Sequence, residues 1–288
     1  MAQSLEFLTR QNSTLKSIRS IVHTMKTLAA INSAPYERAA SSIEAYQHSI
    51  ENGLKAYAHK VRPEYRSPKI EQELLVAFGS DHGLCGSYNL HLAAQVQRYL
   101  QQWPARRQRL ICVGDKMHQA LEEQGLNVLA VLQPPASVEG VTRTANQVVA
   151  AIQAHSELGL NDSAISLAFT QRAEHNTRHP VIEPLLPLPQ ALLKPQAIWP
   201  SRSLPTFSMN EEALLQALIR NYIFAKIYRA QAEAMATENA ARLALMQQAE
   251  QAVDDRLVAL KQEITQVRQD EITNELMDII VGHLEENA

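Results

Sequence analysis

At 288 residues, with 45% hydrophobic and 20% charged residues and a formal net charge of −3, the chain has material for one or two compact units and is globular rather than disordered. It holds no uninterrupted apolar run of membrane-spanning length, its two cysteines cannot form a disulfide framework, and its near-neutral balance offers no basic patch for nucleic acid. The opening Met-Ala-Gln-Ser-Leu-Glu lacks the basic and apolar regions of a signal peptide, so a cytosolic, reduced chain is expected.

Residues 1–62 read as helix. Leu5, Leu8, Leu15, Ile18, Val22, Met25 and Ala29 recur at steps of three, four or seven, and Ile43, Tyr46, Ile50, Leu54, Tyr57 and Val61 continue the pattern. Pro35 has no amide hydrogen, so a bend or break is expected there; Pro63 and Pro68 end the segment.

The middle, residues 70–205, alternates short apolar runs with helical spacing. Strands are predicted at 73–78, 110–113, 128–132 and 164–169, and helices at 88–103, 116–124 and 137–158. Such alternation implies parallel crossovers and a small α/β domain with a mainly parallel sheet. Pro180 to Pro205 contains seven prolines and is expected to be an extended connector.

Between the first strand and its helix lies Gly79-Ser-Asp81-His82-Gly83-Leu-Cys85-Gly86. Glycines in that position can cradle phosphate on backbone amides. The spacing is neither GxGxxG nor GxxxxGK[ST], and a tight turn accounts for it better. Asp81 and His82 could form a general-base pair with Cys85 as nucleophile, but adjacent turn residues rarely point at each other and no third member is at hand. Cys112 falls in a strand and reads as an inert core thiol. His175 and His179 have metal-like spacing without a third ligand, so neither a metal nor a cofactor is expected.

Residues 210–286 form the second long helix. From Glu211 to the end there is no proline and one glycine, Gly282. Met246, Val253, Leu257, Leu260, Ile264 and Val267 make a coiled-coil-like row, with Glu250 interrupting it. At about 1.5 Å per residue the helix could reach roughly 110 Å, too long to bury itself without a partner along its length. Charge points to that partner. Residues 1–62 carry eight Lys/Arg and four Asp/Glu, whereas residues 211–288 carry seven and fourteen. An antiparallel pairing of the two ends follows. Arg242, Arg268 and Gln269 lie among small or apolar neighbours and could hydrogen-bond a surrounding partner.

Three stretches then resemble the gamma subunit of F-type ATP synthases. Glu238-Asn-Ala-Ala-Arg242-Leu-Ala-Leu-Met246 is similar to that family's Glu-x-Ala-Ala-Arg-x-x-Ala-Met helix. Arg268-Gln269-Asp-Glu-Ile272-Thr273-Asn-Glu275-Leu276-Met-Asp278-Ile279 resembles its terminal Arg-Gln-x-x-Ile-Thr-x-Glu-Leu-x-Glu-Ile signature, and Asp81-His82-Gly83-Leu84-Cys85-Gly86 its Asp-Arg-Gly-Leu-Cys-Gly turn. Leu185-Leu-Pro-Leu-Pro189 also matches a recurrent stretch. The chain departs from the family at His82, at Ser87 and at Pro35-Tyr36; Lys26 matches, and Leu28 stands for a methionine. Such divergence resembles a second, alternate ATPase of the kind associated with sodium translocation.

The resemblance implies a central-stalk rotor: terminal helices wound into a shaft inside a ring of alpha and beta subunits, with the α/β domain below against the epsilon subunit and the membrane c-ring. ATP chemistry would occur on beta, so no catalytic residue is expected here, and the place would be peripheral, on the cytoplasmic face of the inner membrane. Carried over by residue, Lys26, Arg242 and Met246 match the mid-shaft, and Arg268, Gln269, Ile272 and Thr273 the segment gripped by the ring. Ile279, Ile280, Val281 and Leu284 would make an apolar tip. Two other functions compete: a coiled-coil scaffold with an α/β head, and a small α/β enzyme using Asp81, His82 and Cys85.

Overall fold

The computed structural model describes residues 2–63, 69–155, 163–172, 178–194, 199, 202–203 and 205–286; for 2–4, 278 and 281–286 it describes the backbone alone. In chain order the elements are α1 (Ala2–Val61), β1 (Gln72–Phe78), α2 (Tyr88–Leu100), β2 (Arg107–Val113), α3 (Asp115–Glu123), β3 (Ala130–Leu132), α4 (Val141–His155), β4 (Ser163–Arg172), β5 (Arg178–Leu186), α5 (Gln190–Leu193) and α6 (Glu211–Glu286). They group into two compact units. One comprises Met1–Ala29 with Arg242–Ala288, the other Ala30–Ala241. The sheet-bearing unit therefore takes in the inner part of both long helices as well as residues 70–205.

In the second unit a five-stranded sheet has the order β3-β2-β1-β4-β5. β1 pairs in parallel with β2 and β4, β2 with β3, and β5 lies antiparallel to β4. Every residue of β1 is buried, as a central strand covered on both faces requires. Leu74, Val76 and Phe78 face a core shared with Ile50 and Leu54 of α1, Val148 and Ile152 of α4, and Tyr222 and Ala225 of α6. Leu75 and Ala77 face the other core, with Leu92 and Val96 of α2 and Met117 and Leu121 of α3. Fully burying each of these large side chains contributes about 1.5–3 kcal/mol, so both layers hold the sheet.

The structure corrects the reading of the proline-rich stretch and, of the bend or break expected at Pro35, excludes the break. The proline-rich stretch is not all connector, because Arg178–Leu186 is an edge strand. An edge strand tolerates residues without an amide hydrogen, which is how Pro180 and Pro184 are accommodated opposite Thr170 and Ser166. A register shift at Ile165/Ser166 skips Leu185, so that Leu185 and Leu186 are both buried despite being consecutive. The helix is also unbroken at Pro35, which lies inside α1. Anchors follow within the next turn and a half: Tyr36 is buried and donates its hydroxyl to the Pro135 carbonyl at 3.3 Å, Glu37 pairs with Arg172 at 2.8 Å, and Ala40 is buried. These contacts offset the missing hydrogen bond. Ile31, whose carbonyl loses its partner, is 62% exposed and open to water.

α6 starts where its sequence says a helix should. The Asn210 Oδ1 accepts the amides of Glu212 and Ala213 at 2.9 and 3.3 Å, and Glu211 and Glu212 place negative charge in the first turn.

Candidate partner-binding surface

In the first unit the inward faces of α1 and α6 are assembled from heptad-spaced residues. Leu8, Leu15, Val22 and Ala29 are partly or fully buried, as are Met246, Val253, Leu257, Leu260, Ile264 and Val267. Glu250, the break in the apolar row, is occupied by cross-helix bonding. One carboxylate oxygen bonds the Lys26 ammonium and the other lies 2.8 Å from the His23 Nδ1. Arg19 bonds Asp254 one turn further along. The basic N-terminal and acidic C-terminal segments thus meet side chain to side chain.

Hydrogen bonds from Lys26 and His23 hold the Glu250 carboxyl below the usual glutamate range. A depressed carboxyl contributes stability above its unfolded value of 4.5, and that contribution is lost as pH falls through the folded value. Replacing Glu250 by Ala should speed backbone hydrogen exchange in residues 15–29 and 246–260 at pH 7. As pH falls through the folded Glu250 value, below 4.5, the variant and the native chain should converge. Equal exchange at pH 7 would show the bonds to be idle.

The partner-contact residues expected from sequence fall into three groups. Met246 is 3% exposed and sits in the seam, and Lys26 is tied to Glu250. Arg242 is half-buried. Arg268, Gln269, Ile272, Thr273, Ile279 and Ile280 all face outward, with Thr273 donating its hydroxyl back to the Gln269 carbonyl at 2.8 Å. The side chains of Val281 and Leu284 lie outside the described residues. Beyond Glu271 the seam gives way to exposed apolar side chains: Ile272, Leu276, Met277, Ile279 and Ile280. Sequence reasoning missed a second set on α1, namely Phe7, Ile21 and Leu28, with Ile18 at its margin 40% exposed. The available signal was the apolar residues left over once the 8-15-22-29 row is assigned to the partner helix. These exposed apolar side chains are the candidates for contact with another protein.

The glycine turn does a different job. Asp81 Oδ1 accepts the Asp115 amide at 3.2 Å at the start of α3, and the Asn89 side chain bonds both the amide and the hydroxyl of Ser80. Gly114 has φ +104°, and a Cβ there would lie 2.4 Å from the Ser80 carbonyl oxygen, so the two strand ends close on each other too tightly for any other residue. His82 is exposed, its Nδ1 3.8 Å from Asp81, while Cys85 is buried beside Ser80. These residues tie β1, α2 and α3 together. Burial pushes the Cys112 thiol up to about 12. His179 lies in β5 and His175 outside the described residues; among the described residues no group of three metal-ligating side chains gathers.

A family model described as ATP synthase matches residues 4–284, almost the entire chain. The chain belongs to the ATP synthase family. Its similar relatives carry the name ATP synthase gamma chain. That of Pasteurella multocida is 24% identical over 98% of this chain and 99% of its own, and that of Polynucleobacter asymbioticus 26% identical over 93% and 97%. Among solved structures, a chain of the Euglena gracilis mitochondrial ATP synthase OSCP/F1/c-ring assembly superposes with a TM-score of 0.67 at 16% identity, covering 97% of this chain and 93% of that one. A chain of the rotor of the same enzyme gives 0.65 at 14%, covering 94% and 100%. These likenesses establish the fold. Membership of the gamma-chain family makes this protein a subunit of a larger complex. No helix among the described residues is long and apolar enough to cross a membrane.

Proposed function

We propose that the chain is the central-stalk rotor of a rotary ATP synthase. In that role it couples ion-driven rotation of a membrane ring to ATP synthesis or hydrolysis on catalytic beta subunits, and holds no catalytic residue of its own. Residues 1–62 and 210–286 are the shaft segments, and residues 70–205 carry the α/β domain. Its partners are the alpha and beta subunits around the shaft and the epsilon subunit and c-ring at the α/β domain. Its place is peripheral, on the cytoplasmic face of the inner membrane.

The observation that carries this reading is the family match across residues 4–284 together with a helix pair whose free end is apolar. A helix pair presents different side chains in every direction. Alternative contacts with otherwise equivalent subunits shift their open and closed populations by the difference in contact free energy. Swinging one site from 1:99 to 99:1 takes about 5.5 kcal/mol, within reach of a few apolar contacts. Arg268, Gln269, Ile272, Thr273, Ile279, Ile280 and Leu284 supply ring contacts at the end of α6. Phe7, Ile18, Ile21 and Leu28 supply them on α1. Lys26, Arg242 and Met246 act at mid-shaft, Met246 through the packing of the seam.

Co-expression of the tagged chain with the alpha and beta subunits tests the proposal. Recovery of a stable complex with ATP hydrolysis is the expected result. Recovery of unrelated proteins instead would favour a scaffold, and turnover by the chain alone would favour an enzyme built on Asp81, His82 and Cys85.

A further inference from the structure

From Arg229 to Asn239 every residue of α6 is buried. A surface helix would expose one face every three or four residues, so this segment is enclosed on all sides. Alanines at 230, 232, 234 and 236 keep it slender. Inside the sleeve Glu233 is 8% exposed, and its Oε2 has no hydrogen-bond partner. Among the described residues, the charged groups facing it are Arg172 at the end of β4, Arg229 one turn back on α6, and Glu44 of α1. Arg172 pairs with Glu37, and Arg229 pairs with Glu183 through one guanidinium nitrogen while its Nε has no hydrogen-bond partner. Glu44 adds a like charge.

We propose that Glu233 is a proton-operated latch: taking up a proton tightens the enclosed segment of α6 in its sleeve, and releasing it loosens the grip. A buried carboxylate with an unbonded oxygen and no cation of its own is held in an unfavourable charge state. Protonation removes that charge. Burial, the dominant effect, drives the Glu233 carboxyl upward from 4.5, with the neighbouring arginines opposing. A carboxyl raised in this way binds its proton more readily folded than unfolded. Its effect on stability therefore grows more favourable as pH falls through the folded value towards 4.5, and is absent as a benefit above it.

The test compares thermal unfolding of the full native chain with Glu233→Gln between pH 8 and pH 5. Titrations not coupled to Glu233 cancel in the difference. The melting temperature of the native chain should rise relative to that of the variant on acidification. Hydrogen-exchange protection at residues 229–239, corrected for intrinsic rate, should rise with it in the native chain alone. Parallel curves, or a native chain that loses ground on acidification, overturn the proposal. Should the variant fail to fold, a carbon-13 titration of the Glu233 carboxyl in the native chain decides. A midpoint above 4.5 supports the latch, and one at or below 4.5 refutes it.

Discussion

A chain ended at Thr265 should keep its sheet-bearing unit folded and lose most coupled ATP synthesis in the assembled enzyme. Folding of that unit survives because it comprises Ala30–Ala241 and contains nothing removed by the truncation. What is lost is the end of the seam at Val267 and the exposed apolar set Ile272, Leu276, Met277, Ile279 and Ile280. If a surrounding ring buries them, each contributes about 1.5–3 kcal/mol. Losing several exceeds the roughly 5.5 kcal/mol that separates a committed from a reversed two-state equilibrium. ATP-driven ion pumping by membrane vesicles, measured beside ATP hydrolysis, should fall tenfold or more relative to hydrolysis. Normal coupled synthesis with the truncated chain would remove the tip from the proposed contact surface.

The second large effect is on stability. Glu183 of β5 is bonded by Arg229 and lies 3.4 Å from the Lys226 ammonium, and both cations come from α6. Burial pushes the Glu183 carboxyl up, but the Arg229 hydrogen bond and charge, with Lys226, more than reverse this and hold it below the usual range. Glu183→Ala strands a guanidinium that is 9% exposed. Breaking a fully buried pair from one side costs about 3–5 kcal/mol and this one, with the Glu183 side chain 26% exposed, somewhat less, whereas replacing both partners by apolar groups of similar size costs little. Urea unfolding should therefore show a large loss for Glu183→Ala and substantial recovery in Glu183→Leu with Arg229→Met. Additive losses in the double variant would mean that the pair is not a unit.

How far the sequence could be read follows from which signals are local. Apolar spacing identified the helix pair because a seam is a one-dimensional pattern, and the opposite charges of the two ends foretold the bonding of Arg19 and Lys26 to Asp254 and Glu250. What spacing could not show is that Glu250 belongs in the seam. A lone carboxylate in an apolar row reads as an interruption until the facing His23 and Lys26 are in view. Pro35 allowed either a bend or a break, and only the anchors at Tyr36, Glu37 and Ala40, invisible to spacing, show why the helix continues through it. Prolines likewise hid β5, whose strand character depends on pairing with β4. The enclosed stretch from Arg229 to Asn239 carries polar residues that look solvated in sequence, and only the packing of other elements around it shows otherwise. Of the contact surface proposed above, the end of α6 lies within family motifs, while Phe7, Ile21 and Leu28 stand outside any motif.

The prolines of β5 also bear on what the protein avoids. A border strand with a full set of amide donors is a template on which a neighbouring chain can add itself, the first step towards fibrous aggregates. Pro180 and Pro184 strike donors from that border, and the skipped residue at Leu185 twists it away from a flat template. Freshly synthesised copies waiting for their assembly partners are thereby discouraged from zipping together along this side of the sheet.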